Sequence, residues 1–164
     1  MRGMFAALAL VAVSSCVTID ASEITAQAVG QNRVLLAVEN AHVRECPPDR
    51  VQVNARSGSD LQSIGVEAVD IAFTPLASDP TRAVRLRRIT VQPGGVIAWH
   101  NHTALQGMAI LLSGEMTEFR NTCLDPIVHH AGDVTREDAE TAHGWRNLSD
   151  QPAVILVSHV VVRS

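Results

Sequence analysis

The amino-acid sequence predicts an all-β fold, and three features of its second half support that prediction. From Val66 onward, short β-branched runs alternate with turn signals at a spacing typical of a sandwich or a jelly roll. No stretch there shows a long apolar pattern of helical period. Gly and Pro clusters such as Pro93-Gly94-Gly95 separate the runs. The predicted strands are Ala68 to Phe73, Val84 to Val91, Val96 to His102, Met108 to Phe119 and Ala153 to Val162.

Length and composition indicate one folded domain. The chain has 164 residues, of which 46% are apolar, and this is enough to bury a core of ordinary size. The net charge is -4, and no long run of Lys or Arg occurs. Nucleic-acid binding is therefore not expected, because it needs a basic surface.

The first 28 residues have the pattern of an export leader, which is a signal peptide or a lipoprotein leader. Arg2 precedes an unbroken apolar run from Met4 to Val13, which is too short to span a bilayer. Val13-Ser14-Ser15-Cys16 resembles a bacterial lipobox, whereas Ala26-Gln27-Ala28 resembles a cleavage site for soluble export. Both routes stay open, and an uncleaved buried helix is the alternative. We expect a periplasmic or extracellular protein.

Export changes how the cysteines are interpreted. Cys16 would be cleaved off or lipidated, and a lipid anchor there would be the only attachment to a membrane. Cys46 and Cys123 would then lie in an oxidising compartment, and both have turn-like surroundings. We predict a disulfide between Cys46 and Cys123, with two unpaired thiols or a bond between chains as the alternatives.

The segment 29–65 is interpreted as an N-terminal extension or an added pair of edge strands, and 66–164 as the main domain. Within the extension, Arg33 to Val38 and Val51 to Val53 are predicted as short strands. Turn signals interrupt the pattern around both of them.

Two histidines on one predicted strand indicate half of a metal site. Alternation places one set of residues on the same strand face: Val96, Ala98, His100 and His102. Both imidazoles then point the same way, and neutral imidazoles on a rigid strand suit a transition metal. A His-x-His pair alone is a weak signal, and ordinary surface or core histidines are the competing interpretation.

The surroundings of these histidines resemble the two motifs of the cupin superfamily. The first motif, G-x5-H-x-H-x3,4-E-x6-G, resembles Gly94-x5-His100-x-His102-x4-Gly107-x6-Gly114, in which the glutamate is missing. The second, G-x5-P-x-G-x2-H-x3-N, resembles Gly132-x5-Asp138-x-Glu140-x2-His143-x3-Asn147, in which the Pro and inner Gly are missing. The resemblance covers about residues 66 to 162 and implies the cupin double-stranded β-helix, a jelly-roll barrel. The alternative is an unrelated β-sandwich with scattered histidines.

The resemblance implies that His100, His102 and His143 hold one divalent transition metal inside the barrel. Gln106 takes the place of the missing glutamate under the shorter spacing and could be a fourth ligand, unless it is an outward-facing polar residue. Three histidines leave up to three positions for water or substrate, as open catalytic sites need. Some superfamily members without the glutamate are iron dioxygenases, so Fe(II) is expected first and Zn second. Loss of the carboxylate disfavours Mn.

The expected function follows from that resemblance. The first hypothesis is an exported metalloenzyme of the dioxygenase type. Its small organic substrate would chelate the ion through two oxygens. The alternative is a non-catalytic cupin that only holds a small molecule, and a third is a structural lipoprotein with vestigial histidines. The complete triad argues against the third, while the lack of an evident acid or base beside it weakens the first. A homodimer through sheet edges is also expected.

The remaining histidines have no ligand-like spacing. His129 and His130 are adjacent on a strand and must point to opposite faces, so they do not form a ligand pair. His42 and His159 are interpreted as surface residues or as satisfied core residues.

Overall fold

The computed structural model describes residues 33–59 and 62–163, and it confirms the all-β fold. Within this part, a helical segment at 33–39 and a 3-10 helix at Pro48–Arg50 accompany nine strands. The strands are β1 His42–Val43, β2 Ile64–Leu76, β3 Asp79–Asn101, β4 Gln106–Ser113, β5 Glu115–Arg120, β6 Ile127–His130, β7 Asp133–Glu137, β8 Ala142–Arg146 and β9 Ala153–Val162. No helix among these residues has the length and apolar character needed to cross a membrane. The predicted leader at 1–28 lies outside the described residues.

The strands form one curled sheet, which is the jelly-roll barrel that the motifs imply. The strand order is β1-β7-β4-β9-β3-β8-β5-β6, and β2 pairs with β3 beside this path. β3 pairs with β9 along its first half and with β8 along its second. Gly94 has a φ of 74° between the two halves, a backbone conformation that suits glycine. β3 therefore continues through this turn-like stretch and pairs with β9 before it and with β8 after it.

The apolar core lies on the inner side of the curled sheet. Its buried members come from five strands: Val91, Ala109, Leu111, Met116, Trp145, Ala153, Ile155 and Val157. Along β9, buried and half-buried positions alternate, as expected for a strand that covers a core. The same alternation makes His159 the next inner residue after Val157, so β9 carries a polar group into the interior.

Several strand boundaries differ from the prediction, although β9 has the predicted ends. The runs 84–91 and 96–102 belong to one strand, because Pro93-Gly94-Gly95 does not end it. The run 108–119 divides at Gly114, whose φ of 82° separates β4 from β5. β6, β7 and β8 were not predicted, since each has only four or five residues and carries inward polar side chains.

The N-terminal extension also differs from the prediction. Residues 33–39 are helical, which fits a continuous apolar run without period-two alternation. Val51 makes only an isolated bridge with Cys123, so the predicted strand 51–53 is absent from the described residues. A disulfide joins Cys46 to Cys123 with an S–S distance of 2.01 Å. The extension is thus bonded covalently to the barrel.

Candidate metal centre

Three histidines from β3, its C-terminal end and β8 meet in the barrel interior. His100 in β3 pairs with His143 in β8, and His102 follows the last residue of β3. The three ring centroids are 4.7 to 4.9 Å apart. One nitrogen from each ring lies within 4.8 Å of the others. The structure therefore brings together the three residues that the motifs indicate, and metal binding by them stays a prediction.

A bulge, rather than simple alternation, sets the direction of His100. The β3–β8 register shifts between Ile97 and His100, and both residues line the same interior cavity. Val96 neighbours Ile97 in the strand and so faces the opposite side. The predicted grouping of Val96 with His100 is therefore wrong. His102 is held beside β8 by its backbone N–H, which donates to Thr141 O at 2.9 Å.

Each imidazole of the triad donates a hydrogen bond through Nδ1 to an oxygen. The three pairs are His100 with Ala98 O at 2.8 Å, His102 with Leu105 O at 2.7 Å and His143 with Glu118 Oε1 at 2.6 Å. Since oxygen is the acceptor in each pair, the proton is on Nδ1 and Nε2 keeps its lone pair. Histidines that bind metals are typically oriented in this way.

The Nε2 atoms of His102 and His143 are 2.9 Å apart, so two lone pairs face each other. A cation between them removes this repulsion, and two nitrogens about 2.1 Å from one ion at a right angle are about 3 Å apart. The residues therefore fit a metal ion. Burial lowers the pKa of His102 to about 4, although the nearby carboxylate of Glu137 raises it. Burial likewise lowers the pKa of His100. Both rings are thus neutral at pH 7, as metal ligands must be.

A buried carboxylate in β5 fixes His143 from the outside of the triad. Glu118 Oε1 accepts from His143 Nδ1 and from Arg120 Nε at 2.8 Å, and Oε2 accepts from His129 Nε2 at 3.0 Å. Burial alone raises the pKa of Glu118. The hydrogen bonds from His129 and His143 and the nearby charges outweigh it and hold this pKa well below its usual range. Glu118 is therefore charged and orients the ring of His143.

A second buried carboxylate, Glu137 in β7, faces the triad and was not predicted. Its Oε1 lies 3.7 Å from His143 Nε2 and 3.9 Å from His102 Nε2. Its Oε2 accepts a hydrogen bond from His159 Nε2 at 2.5 Å. Burial by itself raises the pKa of Glu137, but the hydrogen bond from His159 and the adjacent histidines lower it overall. His102, Glu137 and His159 form a second group whose ligand atoms lie within 4.8 Å of one another.

The structure also shows where the other candidate residues lie. Gln106 is exposed, and its Nε2 donates to Thr103 O at 3.5 Å. Gln106 therefore has the outward-facing position of its alternative interpretation, and its role as a fourth ligand stays a prediction. His129 is buried and His130 exposed, as strand alternation requires. His159 is a satisfied interior residue, although its partner is a carboxylate beside the triad.

A cavity of about 50 Å³ adjoins the triad. Its polar lining consists of His100, Glu137 and His159, and the rest of its wall is apolar: Ile89, Ile97, Ala109, Trp145, Ile155 and Val157. One water takes up about 30 Å³ of the liquid, so this space suits a ligand with few non-hydrogen atoms. The apolar wall strengthens electrostatic interactions near the histidines, because it excludes water.

Comparisons with known proteins found similar solved structures and one family model. No curated protein matches the chain. Among solved structures, KdgF from Halomonas sp. is 16% identical with a TM-score of 0.49 and covers 70% of this chain and 94% of that one. The Cupin 2 conserved barrel domain protein from Salinispora arenicola is 16% identical with a TM-score of 0.47 and covers 72% and 87%. A recombinant oxalate oxidase in complex with glycolate is 18% identical with a TM-score of 0.47 and covers 66% and 57%.

The family comparison concerns the part of the chain that holds the triad. Residues 87–159 match the family model described as Cupin domain. This range begins within β3 and ends within β9, so it includes all three histidines, Glu118, Glu137 and His159. This region of the chain is therefore similar to a cupin domain.

Proposed function

We propose that this protein is an exported metal-binding cupin and acts as a dioxygenase-like enzyme on a small organic substrate. The observation that supports it best is the convergence of three imidazoles, with one nitrogen of each within 4.8 Å of the others and each ring held by a hydrogen bond at Nδ1. His100, His102 and His143 would hold one divalent transition metal. Fe(II) is the first choice and Zn the second, since imidazole ligands suit both.

The ion would act as a Lewis acid and would offer open positions to oxygen and to a substrate that chelates through two oxygens. The surrounding residues prepare that site. Glu118 keeps the ring of His143 in one orientation, and backbone carbonyls do the same for the other two rings. The apolar cavity wall excludes bulk water and limits the size of the substrate.

The test combines metal content with oxygen uptake. Protein purified from its native compartment should contain one metal per chain, by elemental analysis. It should consume oxygen with at least one member of a panel of small diketones and small thiols. The variant His143→Ala should lose both properties, whereas the exposed His130→Ala should keep them. Metal and ligand binding without oxygen uptake would favour the alternative, a non-catalytic cupin that holds a small molecule.

We also propose export, which the disulfide between Cys46 and Cys123 supports, since such bonds persist in oxidising compartments. The mature chain should begin at Cys16, carrying lipid, or at Val29, by mass spectrometry of the N terminus. An intact Met1 on most of the exported protein would contradict this. A homodimer also stays a prediction, which light scattering in solution can test.

A further inference from the structure

Under the longer spacing of the first cupin motif, the position of its glutamate cannot hold a side chain in this protein. That position is Gly107 in β4, whereas the shorter spacing gives the exposed Gln106. A Cβ atom built at Gly107 would lie 1.9 Å from Ser158 O and 2.7 Å from Cδ2 of His159. Real Cβ atoms do not approach other atoms so closely. A carboxylate near the triad must therefore come from a neighbouring strand.

Such a carboxylate lies directly beside Gly107 in the sheet. Gly107 pairs with Glu137 of β7 on one side and with His159 of β9 on the other. The side chains of these two neighbours meet, with Glu137 Oε2 accepting from His159 Nε2. Ser158 and His159 of β9 thus fill the space beside Gly107, and a carboxylate reaches the triad from β7 on the other side.

The second oxygen of Glu137 lies beside two ring nitrogens of the triad. Its Oε1 lies 3.7 Å from His143 Nε2 and 3.9 Å from His102 Nε2. Both nitrogens carry lone pairs, because their protons are on Nδ1. These two nitrogens and Oε1 therefore converge as electron-pair donors in a buried place. Trp145 Nε1 donates a long hydrogen bond of 3.4 Å to His143 Nε2, and a cation between the three atoms would satisfy all of them together.

We propose that Glu137 is the fourth metal ligand, through Oε1, and that His159 is a positioning residue that holds its Oε2. The inference rests on the metal site proposed above. It changes the donor set from three neutral imidazoles to three imidazoles and one negative carboxylate. Carboxylates suit Mn(II), so Mn(II) joins Fe(II) ahead of Zn, contrary to the expectation from the missing glutamate. Fewer open positions remain, which favours a small substrate that binds through one or two oxygens.

The direct test is Glu137→Gln in the full chain, which removes the charge and keeps the size. Affinity for Mn(II) should fall by more than ~100-fold, because losing a ligand costs more than losing its hydrogen-bonded neighbour. Affinity for Zn(II) should fall far less, since three histidines alone hold zinc in catalytic sites. Competition with a chelator of known affinity measures both. Glu115→Gln is the matched control, because Glu115 pairs only with the exposed His130 among its salt-bridge partners.

The role of His159 needs a readout that a purely structural role would not move. His159→Leu removes the donor to Glu137 and should weaken Mn(II) binding by about 10 to 100-fold. His159→Gln keeps an N–H donor and should recover most of that loss. The ratio of Mn(II) to Zn(II) affinity is the readout, since a loss of stability alone would leave this ratio unchanged.

The outcomes separate this inference from the proposed function. If the wild type binds no metal, or if His143→Ala keeps it, the triad itself is not the site. If the triad binds metal but Glu137→Gln leaves the Mn(II) to Zn(II) ratio at its wild-type value, only the role of Glu137 is overturned. Should Glu137→Gln not fold, a crystal structure of the wild type with Mn(II) decides. An Oε1 to metal distance of about 2.2 Å supports the inference, and an intervening water overturns it.

Discussion

Two buried carboxylates lie next to the histidine triad, and they are used differently. Glu118 has both oxygens engaged by donors, from His143, Arg120 and His129. Glu137 has one oxygen engaged by His159, while the other faces the lone pairs of His102 and His143. A carboxylate whose oxygens all accept hydrogen bonds orients its neighbours, whereas one that faces other electron-pair donors is suited to bind a cation. Glu118 is thus a positioning group, whereas Glu137 is a candidate ligand.

The largest expected effect on metal affinity comes from replacing a histidine of the triad, which lies between the two carboxylates. His143→Ala should reduce metal affinity by more than ~100-fold, as His100→Ala and His102→Ala should, because each removes a ligand. Metal stoichiometry by elemental analysis checks all three variants. Full metal content in His143→Ala would mean that His100 and His102 alone define the site. The difference proposed between Glu118 and Glu137 in metal binding would then no longer apply.

A smaller effect on metal is expected from Glu118→Gln. This change keeps the shape of the side chain but weakens the hold on His143 Nδ1, and metal affinity should fall by about 10 to 100-fold. Unlike Glu137→Gln, it should weaken Mn(II) and Zn(II) equally, because it acts through a histidine. Chelator competition with both ions measures this. A selective loss of Mn(II) would show that the two carboxylates act alike on the metal.

The charge of Glu118 should also appear in the pH dependence of stability. Its folded-state pKa is below its unfolded value, so its contribution is complete above the unfolded pKa and is lost as pH falls through the folded one. Urea unfolding of the metal-free protein should therefore show a stability decrease below about pH 4.5. Glu118→Gln should be less stable at pH 7 and should have a flatter profile. Parallel profiles for wild type and variant would contradict this.

The smallest effect is expected at Gln106. This residue is exposed, and the hydrogen bond that its side chain donates to Thr103 O is 3.5 Å long. Gln106→Ala should change metal affinity less than twofold and stability by less than about 0.5 kcal/mol. Elemental analysis and thermal unfolding check both quantities. A clear loss of metal would mean that Gln106, rather than Glu137, completes the site.

The sequence predicted the parts of the site that local spacing determines. The motif spacing located His100, His102 and His143, and alternation along 153–162 predicted β9. Glu137 could not be assigned in the same way, because it reaches the triad only through the pairing of β7 with β4. The bulge at 97–100 was likewise hidden, since no residue type marks a register shift between β3 and β8. Sheet register is a long-range property, and one chain pattern does not specify it.

The pairing of β3 with β9 has a consequence for how the barrel forms. Arg82 at the start of this ladder pairs with Val162. The first half of β3 can therefore form these hydrogen bonds only after the last strand of the chain has been brought to it. Contacts between such distant residues form slowly, because the chain must first close a long loop. The triad lies on β3 and β8, and Glu137 and His159 lie on β7 and β9. The candidate ligands are therefore assembled only when the barrel closes, and an ion would have to enter a nearly finished barrel rather than nucleate its folding.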